Sequence, residues 1–205
     1  MTNIHYPLST VDLVVLDLDG TLYDKRHLSL RMVMHALCDI RKMQAERHTR
    51  ANMKGTYLGN KEAFYESYFL HLSQMLKTSA DNIQQWYENR YMPLMVNLIG
   101  KHHHAGDWVM PFIQQCRSRG IKLVVLSDYD HAEDKLQALG LSPTLFDWVV
   151  STPELGGLKP APQLLHQVAQ QMGVPVEKCL VIGDREDTDG AMARATGAQF
   201  QLIKY

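Results

Sequence analysis

Residues 13–24 read Leu-Val-Val-Leu-Asp-Leu-Asp-Gly-Thr-Leu-Tyr-Asp, and this stretch decides the fold class. The four apolar residues at 13–16 are typical of a short parallel strand that is buried on both faces. Asp17 and Asp19 then fall at the carboxyl end of the strand, where ligands bind in open α/β sheets. Because residues i and i+2 of an extended strand share one face, both carboxylates are predicted to face the same cleft.

Two carboxylates at this spacing repel each other. At about 4 Å and an effective dielectric of about 20, two like unit charges interact by ~4 kcal/mol, so the pair indicates a bound cation, a shared proton or a wide separation. Mg²⁺ meets this need, because it prefers oxygen ligands and keeps waters and a substrate phosphate in its shell. Asp-Gly-Thr after a strand is also an ordinary turn, so the motif needs support from elsewhere in the chain.

The size and charge of the chain narrow the class of protein. Its 205 residues are enough for one full core and an appendage. A net charge of −1 leaves no basic footprint for nucleic acid or for a membrane surface, so we expect small-molecule partners. We also expect a monomer or homodimer. The start of the sequence lacks a signal pattern and no apolar run reaches 18 residues, which predicts a cytoplasmic protein. The three scattered cysteines are predicted to be reduced and mostly buried.

From residue 107 onward, helical and strand-like segments alternate, and glycines close the helices. This alternation predicts a doubly wound α/β core, because parallel strands need crossover helices that cover both faces of their sheet. The predicted strands after 13–16 are 121–126, 146–150, 179–182 and 200–203, and the predicted helices are 108–119, 131–139, 162–172 and 190–196.

Residues 25–105 depart from that alternation and show helical spacing instead. We expect an inserted helical cap domain over 25–105, with the α/β catalytic core formed by 1–24 and 106–205. Ser79 is a candidate amino-terminal cap for one of its helices. The apolar face of its first helical stretch is predicted from three- and four-residue steps at Leu30, Val33, Met34, Leu37, Ile40 and Met43.

Polar residues also follow the other predicted strands. Ser127 and Asp128 come after 121–126, and the Ser127 hydroxyl could bind a phosphate oxygen or simply cap a turn. Lys159 follows 146–150, where it could offset the charge of a carboxylate and a phosphate. Asp184 and Asp189 follow 179–182, close enough along the chain to approach a cation shared with the first strand.

These residues resemble the four motifs of the haloacid dehalogenase superfamily, in the same order and each after a strand. The first motif is similar to residues 17–21, the second to Ser127, the third to Lys159 and the fourth to Gly183-Asp184 with Asp189. The helical block at 25–105 is similar to the cap that the phosphatase-type members insert after the first motif.

The resemblance implies aspartyl-phosphate chemistry. Asp17 would attack phosphorus, and Asp19 would protonate the leaving oxygen and then activate water. Mg²⁺ would be held by Asp17, by the backbone carbonyl of Asp19 and by Asp184, while Asp189 would orient the water shell of the metal or Lys159.

The predicted function is a Mg²⁺-dependent phosphatase for a small phosphorylated metabolite such as a sugar phosphate, phosphoglycolate or a nucleotide. Ser127 with Asp128 and Lys159 would bind the phosphoryl group. Asp19 favours a phosphatase over a dehalogenase, which needs no acid to protonate an alkoxide. A phosphomutase of the β-phosphoglucomutase type and a catalytically silent binding protein remain as alternatives.

Three further predictions concern the insertion. Its aromatic residues are expected to pack in its own core, and His102–His104 to form a solvated loop. A first set of cleft-facing residues that select the substrate comprises Arg31, Lys54, Tyr57 and Lys61.

Overall fold

A computed structural model describes residues 8–205. Five strands form one parallel sheet in the order β3-β2-β1-β4-β5. Their bounds are β1 Leu13–Leu16, β2 Lys122–Ser127, β3 Trp148–Ser151, β4 Cys179–Gly183 and β5 Gln199–Leu202. The predicted doubly wound parallel sheet is confirmed.

Alternate residues of the central strands face two separate hydrophobic clusters, because successive side chains of a strand point to opposite faces. Val14 and Leu16 of β1 belong to one cluster, and Leu13 and Val15 belong to the other. The first cluster includes residues of helices α6 and α7, and the second includes residues of α8 and α9. These helices span Val109–Ser118, Ala132–Ala138, Pro162–Met172 and Ala191–Thr196, respectively.

Five helices lie between β1 and α6, and the hydrophobic cluster on one face of the sheet continues into them. The Ser79 side chain accepts a hydrogen bond from the Asn82 N–H, so its predicted role as a helix cap is confirmed. The division into a core and a cap domain at residues 25–105 stays a prediction. The helices are α1 Leu28–His35, α2 Ile40–Asn52, α3 Lys61–Leu76, α4 Ala80–Trp86 and α5 Met92–His102.

The predicted apolar face at the start of this insertion is wrong for half of its members. The helix breaks at Ala36, whose φ is −142°, and a short turn separates α1 from α2. Within α1 the buried residues are Leu28 and Met32, so Leu30 and Met34 lie on the other face and are 57% and 56% exposed. Leu37, in the short turn after the break, is 66% exposed. A continuous three-to-four spacing in sequence therefore spans two helices that present different faces.

His103 does not belong to a solvated loop, as predicted for the histidine run, because it is buried beside the first motif. Its Nδ1 donates a hydrogen bond of 2.7 Å to the backbone carbonyl of Asp24, and its ring lies 5.3 Å from the ring of Tyr23. The hydrogen bond joins the segment that enters the insertion to the segment that leaves it.

The predicted packing of aromatic residues within the insertion and the predicted state of the cysteines are confirmed. Tyr68, Phe69 and Tyr87 are buried and their rings contact one another. Cys116 and Cys179 are free and buried, whereas Cys38 is free and exposed. Over residues 8–205, no helix has the length and apolar character needed to cross a membrane.

Candidate active site

The order of the strands reverses at β1, since β2 and β3 lie on one side of it and β4 and β5 on the other. Such a reversal opens a crevice at the carboxyl ends of the two strands that flank it. Asp17 follows β1 and Asp184 follows β4 at this crevice. The Asp17 N–H donates to the Ile182 carbonyl at 2.9 Å, so the ladder between β1 and β4 fixes the backbone of Asp17.

The Asp17 carboxylate is buried and held by two donors. Lys159 Nζ lies 2.8 Å from Oδ1, and the Thr21 hydroxyl donates to Oδ2 at 2.7 Å. Burial raises the pKa of Asp17, and the charge of Asp189 adds to that effect against the opposing charge of Lys159. Two fixed donors hold the carboxylate in one orientation at the floor of the crevice.

Lys159 joins two of the aspartates that the sequence places at this edge. Its buried Nζ lies 2.8 Å from Asp17 Oδ1 and also 2.8 Å from Asp189 Oδ1. Burial favours the neutral amine, but the two carboxylates outweigh it and raise the pKa of Lys159. The close approach of Asp189 requires glycine at position 183, where a Cβ atom would lie 2.4 Å from Asp189 Cγ.

The Asp19 carboxylate has a different environment from that of Asp17. Tyr23 donates to Oδ1 at 2.6 Å, and Lys135 Nζ lies 2.7 Å from Oδ2. Burial opposes ionisation of Asp19, but the charge and hydrogen bond of Lys135 outweigh it and lower the pKa of this carboxyl. The pKa values of the two aspartates of the first motif therefore shift in opposite directions.

Lys135 is a functional candidate that the sequence analysis missed. It lies on α7 and its side chain is fully buried, with Nζ 5.0 Å from the centre of the Tyr129 ring. A lysine among the polar residues of a short helix is ordinarily exposed, so no local pattern marks it. Only the packing of α7 against α5 and β3 brings it to Asp19.

A cluster of carboxylates could hold a cation beside Asp17. One oxygen each of Asp17, Asp184 and Asp189 lie within 4.8 Å of one another. Burial raises the pKa of Asp184, and the neighbouring charge of Asp17 adds to the shift. Oxygen donors that share excess negative charge suit a hard divalent cation such as Mg²⁺, so the residues fit the predicted metal.

Ser127 and Asp128 lie at the carboxyl end of β2, next to the aspartates. The Ser127 hydroxyl lies 3.3 Å from Asp19 Oδ2 and 2.8 Å from the Tyr129 carbonyl. Asp128 Oδ1 accepts hydrogen bonds from the Thr152 hydroxyl at 2.9 Å and from the Lys159 N–H at 3.3 Å. Asp128 thus braces the loop that carries Lys159, and binding of phosphate by Ser127 and Asp128 stays a prediction.

A cavity of about 510 Å³ extends from the two aspartates of the first motif toward the insertion. None of Arg31, Lys54, Tyr57 and Lys61 lines it, so the predicted set of cleft-facing residues is wrong. Lys54 instead forms an ion pair with Asp187, and the Tyr57 hydroxyl pairs with the Gln167 side chain. The apolar part of the cavity wall comprises Leu28, Met32, Val33, Ile40, Met43 and Met95.

Arg50 ties the insertion to the loop after β2. Its guanidinium donates to the Asp128 carbonyl at 2.6 Å and lies 4.0 Å from the centre of the Tyr129 ring. It also donates to the Tyr87 hydroxyl, which donates in turn to Asp130. No local pattern in the sequence marks Arg50 for this role. The structure uses it to position the loop that follows Ser127.

Comparison with known proteins agrees with this arrangement. The model of the haloacid dehalogenase-like hydrolase family matches residues 11–197. Haloacid dehalogenase-like hydrolase domain-containing protein 3 of Bos taurus is 35% identical over 44% of this chain and 36% of its own length. A glyceraldehyde 3-phosphate phosphatase of Methanocaldococcus jannaschii is 23% identical over 90% of this chain and 81% of its length.

Solved structures show the same fold. A predicted phosphoglycolate phosphatase from Haemophilus somnus superposes with a TM-score of 0.64 at 15% identity, over 97% of this chain and 88% of that one.

The chain spans 9% to 39% of the length of the first curated relatives that it matches. The family match covers most of the sequence and contains every element of the site, and the chain belongs to the haloacid dehalogenase-like hydrolase family.

Proposed function

We propose that this chain is a phosphomonoesterase that forms a phosphate ester on Asp17. The observation that carries the proposal is the Lys159 ammonium, held at 2.8 Å from both Asp17 and Asp189 beside the crevice. A fixed cation next to a buried carboxylate offsets the charge that a phosphate brings to the nucleophile. Relatives named as phosphatases support the same reaction class.

In the first step, an Asp17 carboxylate oxygen attacks phosphorus, and the bond from phosphorus to the leaving oxygen breaks. Asp19 gives its proton to that oxygen, so it must be protonated when substrate is bound. In the substrate-free site Lys135 lowers the pKa of Asp19, whereas an arriving phosphate dianion raises it, because a like charge disfavours ionisation. Binding of substrate thus shifts Asp19 toward the protonated form that acid catalysis needs.

In the second step, the Asp19 carboxylate takes a proton from water as the water oxygen attacks the phosphoryl group on Asp17. The bond between phosphorus and Asp17 breaks, and inorganic phosphate and the free carboxylate are regenerated. One residue serves as acid and then as base because the first step leaves it deprotonated. Lys159 and Ser127 are assigned to the phosphoryl oxygens in both steps.

Mg²⁺ would be held by Asp17, Asp184 and the backbone carbonyl of Asp19, with Asp189 acting through Lys159. When bound, Mg²⁺ supplies positive charge to the phosphoryl oxygens as negative charge develops on them. The two carboxylates of this donor set belong to the cluster of Asp17, Asp184 and Asp189, whose oxygens lie within 4.8 Å of one another, and this proximity supports the assignment.

The proposed substrate is a small phosphate monoester, held between the sheet edge and a cap formed by residues 25–105. A cavity of about 510 Å³ with Met32, Met43 and Met95 in its wall supports a compact organic group with apolar surface. A cytoplasmic location stays a prediction.

Phosphate release from a panel of phosphate monoesters, with Mg²⁺ and with a chelator, tests the proposal. We expect Mg²⁺-dependent release that Asp17→Asn reduces to background. Asp187→Asn is the matched control, because Asp187 is an exposed acid in the loop after β4 and lies outside the carboxylate cluster. Isomerisation without release would indicate a mutase, and no turnover of any ester would indicate a silent binding protein.

A further inference from the structure

Lys25 lies at the predicted metal position. Its Nζ is 2.8 Å from the backbone carbonyl of Asp19 and 2.6 Å from Asp184 Oδ2. These two oxygens belong to the donor set that the proposed function assigns to Mg²⁺. An ammonium group and a divalent cation cannot both occupy the space between the same oxygens.

The contact depends on glycine at position 20. Gly20 has a φ of +99°, and a Cβ atom there would lie 2.7 Å from Lys25 Nζ and 2.4 Å from Asp184 Oδ2. Any side chain at position 20 would therefore fill the space in which the lysine and the carboxylate meet. Because position 20 has no side chain, a cation fits between these oxygens, and the Lys25 ammonium lies there.

Lys25 differs from the two other lysines of the site in its exposure. Its side chain is 43% exposed, whereas those of Lys135 and Lys159 are 0% and 1% exposed. A partly exposed ammonium can return to water with little loss of solvation, and its long stem regains rotamer freedom when it leaves. Release of Lys25 requires no repacking of the core.

We propose that Lys25 is a tethered cation that competes with Mg²⁺ for the metal position. The inference rests on the proposed function for the identity of the metal. Without metal, the lysine neutralises Asp184 and stabilises the folded chain. With metal, the lysine is displaced into the cavity mouth, so its position sets the Mg²⁺ concentration at which the site fills.

The first test is Mg²⁺ binding to Lys25→Met by calorimetry, with no substrate present. Removal of the competitor should lower the dissociation constant about two- to fivefold, the effect of losing one partly exposed ion pair. The Tm in chelator should fall at the same time, and the rise in Tm on adding Mg²⁺ should be larger than in the parent protein.

Lys54→Met is the matched control. Lys54 is also partly exposed and pairs with an acid of the loop after β4, but that acid, Asp187, is not in the carboxylate cluster. The two variants change the net charge equally. Equal gains in Mg²⁺ affinity would show a general charge effect and overturn the proposal, as would unchanged or weaker binding by Lys25→Met.

A second measurement uses the unaltered protein. Lys25 should react faster with acetic anhydride in Mg²⁺ than in chelator, with Lys54 as the internal reference, and peptide mass spectrometry measures both. Unchanged relative labelling of Lys25 would overturn the proposal. Because neither test involves turnover, a failed phosphatase assay with positive binding and labelling results would reject the proposed function and leave the competition intact.

Discussion

Substitution of the buried lysine at position 135 gives a quantitative test of the Asp19 environment. In Lys135→Met the Asp19 carboxylate keeps its burial but loses the ammonium at 2.7 Å. Loss of one partner of a buried pair typically costs about 3–5 kcal/mol, because the other charge remains uncompensated. Asp19 can instead take up a proton and become neutral. The free energy of that protonation depends on pH, so the loss of stability depends on pH as well.

The cost of that proton sets the upper limit on the loss. An aspartate in the unfolded chain has an ordinary pKa of about 3.9, so keeping it protonated costs about 4 kcal/mol at pH 7 and about 1.5 kcal/mol at pH 5. In the parent protein the pKa of Asp19 is lowered, so its stabilising contribution is present above the unfolded pKa and is lost as pH falls. In the variant, burial raises that pKa, and the penalty grows as pH rises above the unfolded value.

Urea unfolding of parent and variant at pH 5, 6 and 7 measures the difference. We expect the destabilisation to be up to about 2.7 kcal/mol larger at pH 7 than at pH 5. Combining the variant with Asp19→Asn should recover most of the loss at pH 7, since neither charge then remains. Lys178→Met breaks an exposed pair with Asp12 and should cost less than about 1 kcal/mol at either pH. A loss that is the same at pH 5 and pH 7 would refute the charge argument and indicate a packing defect.

Two further predictions concern the cavity and the thiols. Met43→Lys should change the relative kcat/KM among phosphate esters by about tenfold or more, because it puts a charge in the apolar wall of the cavity, whereas Leu37→Lys on the exposed surface should leave these ratios unchanged. Equal losses of kcat/KM on every ester would contradict substrate selection by the insertion. In native protein at pH 8, a disulfide reagent should label Cys38 at once and spare Cys116 and Cys179, because burial raises the pKa values of these two thiols to about 11 and about 12. Rapid labelling of all three cysteines would contradict the described packing.

The sequence predicted the strands to within two residues at each end. This succeeds because a parallel strand that is buried on both faces is a continuous apolar run, and glycines mark where its flanking helices stop. The positions of the candidate catalytic residues follow from the same pattern. Asp17, Ser127, Lys159 and Asp184 each follow or end such a run, so the topology of a parallel sheet brings them to one edge without further information.

Long-range packing of charged side chains could not be predicted in the same way. Lys135 contacts Asp19, 116 positions earlier in the chain, and Lys25 contacts Asp184, 159 positions later. Nothing in a window of neighbouring residues distinguishes either from a solvated lysine. The prediction for the insertion failed for a related reason. Its helices are placed by contacts with one another and with α7, and the chain turns at Ala36 between α1 and α2, so the spacing along the sequence does not show which apolar residues are covered.

The exposures of the three lysines explain how the site could accept a phosphate dianion. Four aspartates of the crevice pair with these three lysines, which leaves one uncompensated negative charge within this set that repels an anion. The four are Asp17, Asp19, Asp184 and Asp189. Lys135 and Lys159 are enclosed by protein and remain in place. Exchange of Lys25 for one divalent cation adds a single positive charge and brings the balance to zero before substrate arrives. Under the proposed competition, binding of the divalent cation therefore removes the excess negative charge of the crevice before phosphate binds. This exchange requires a lysine that can move into solvent, and a lysine enclosed like Lys135 or Lys159 could not do so.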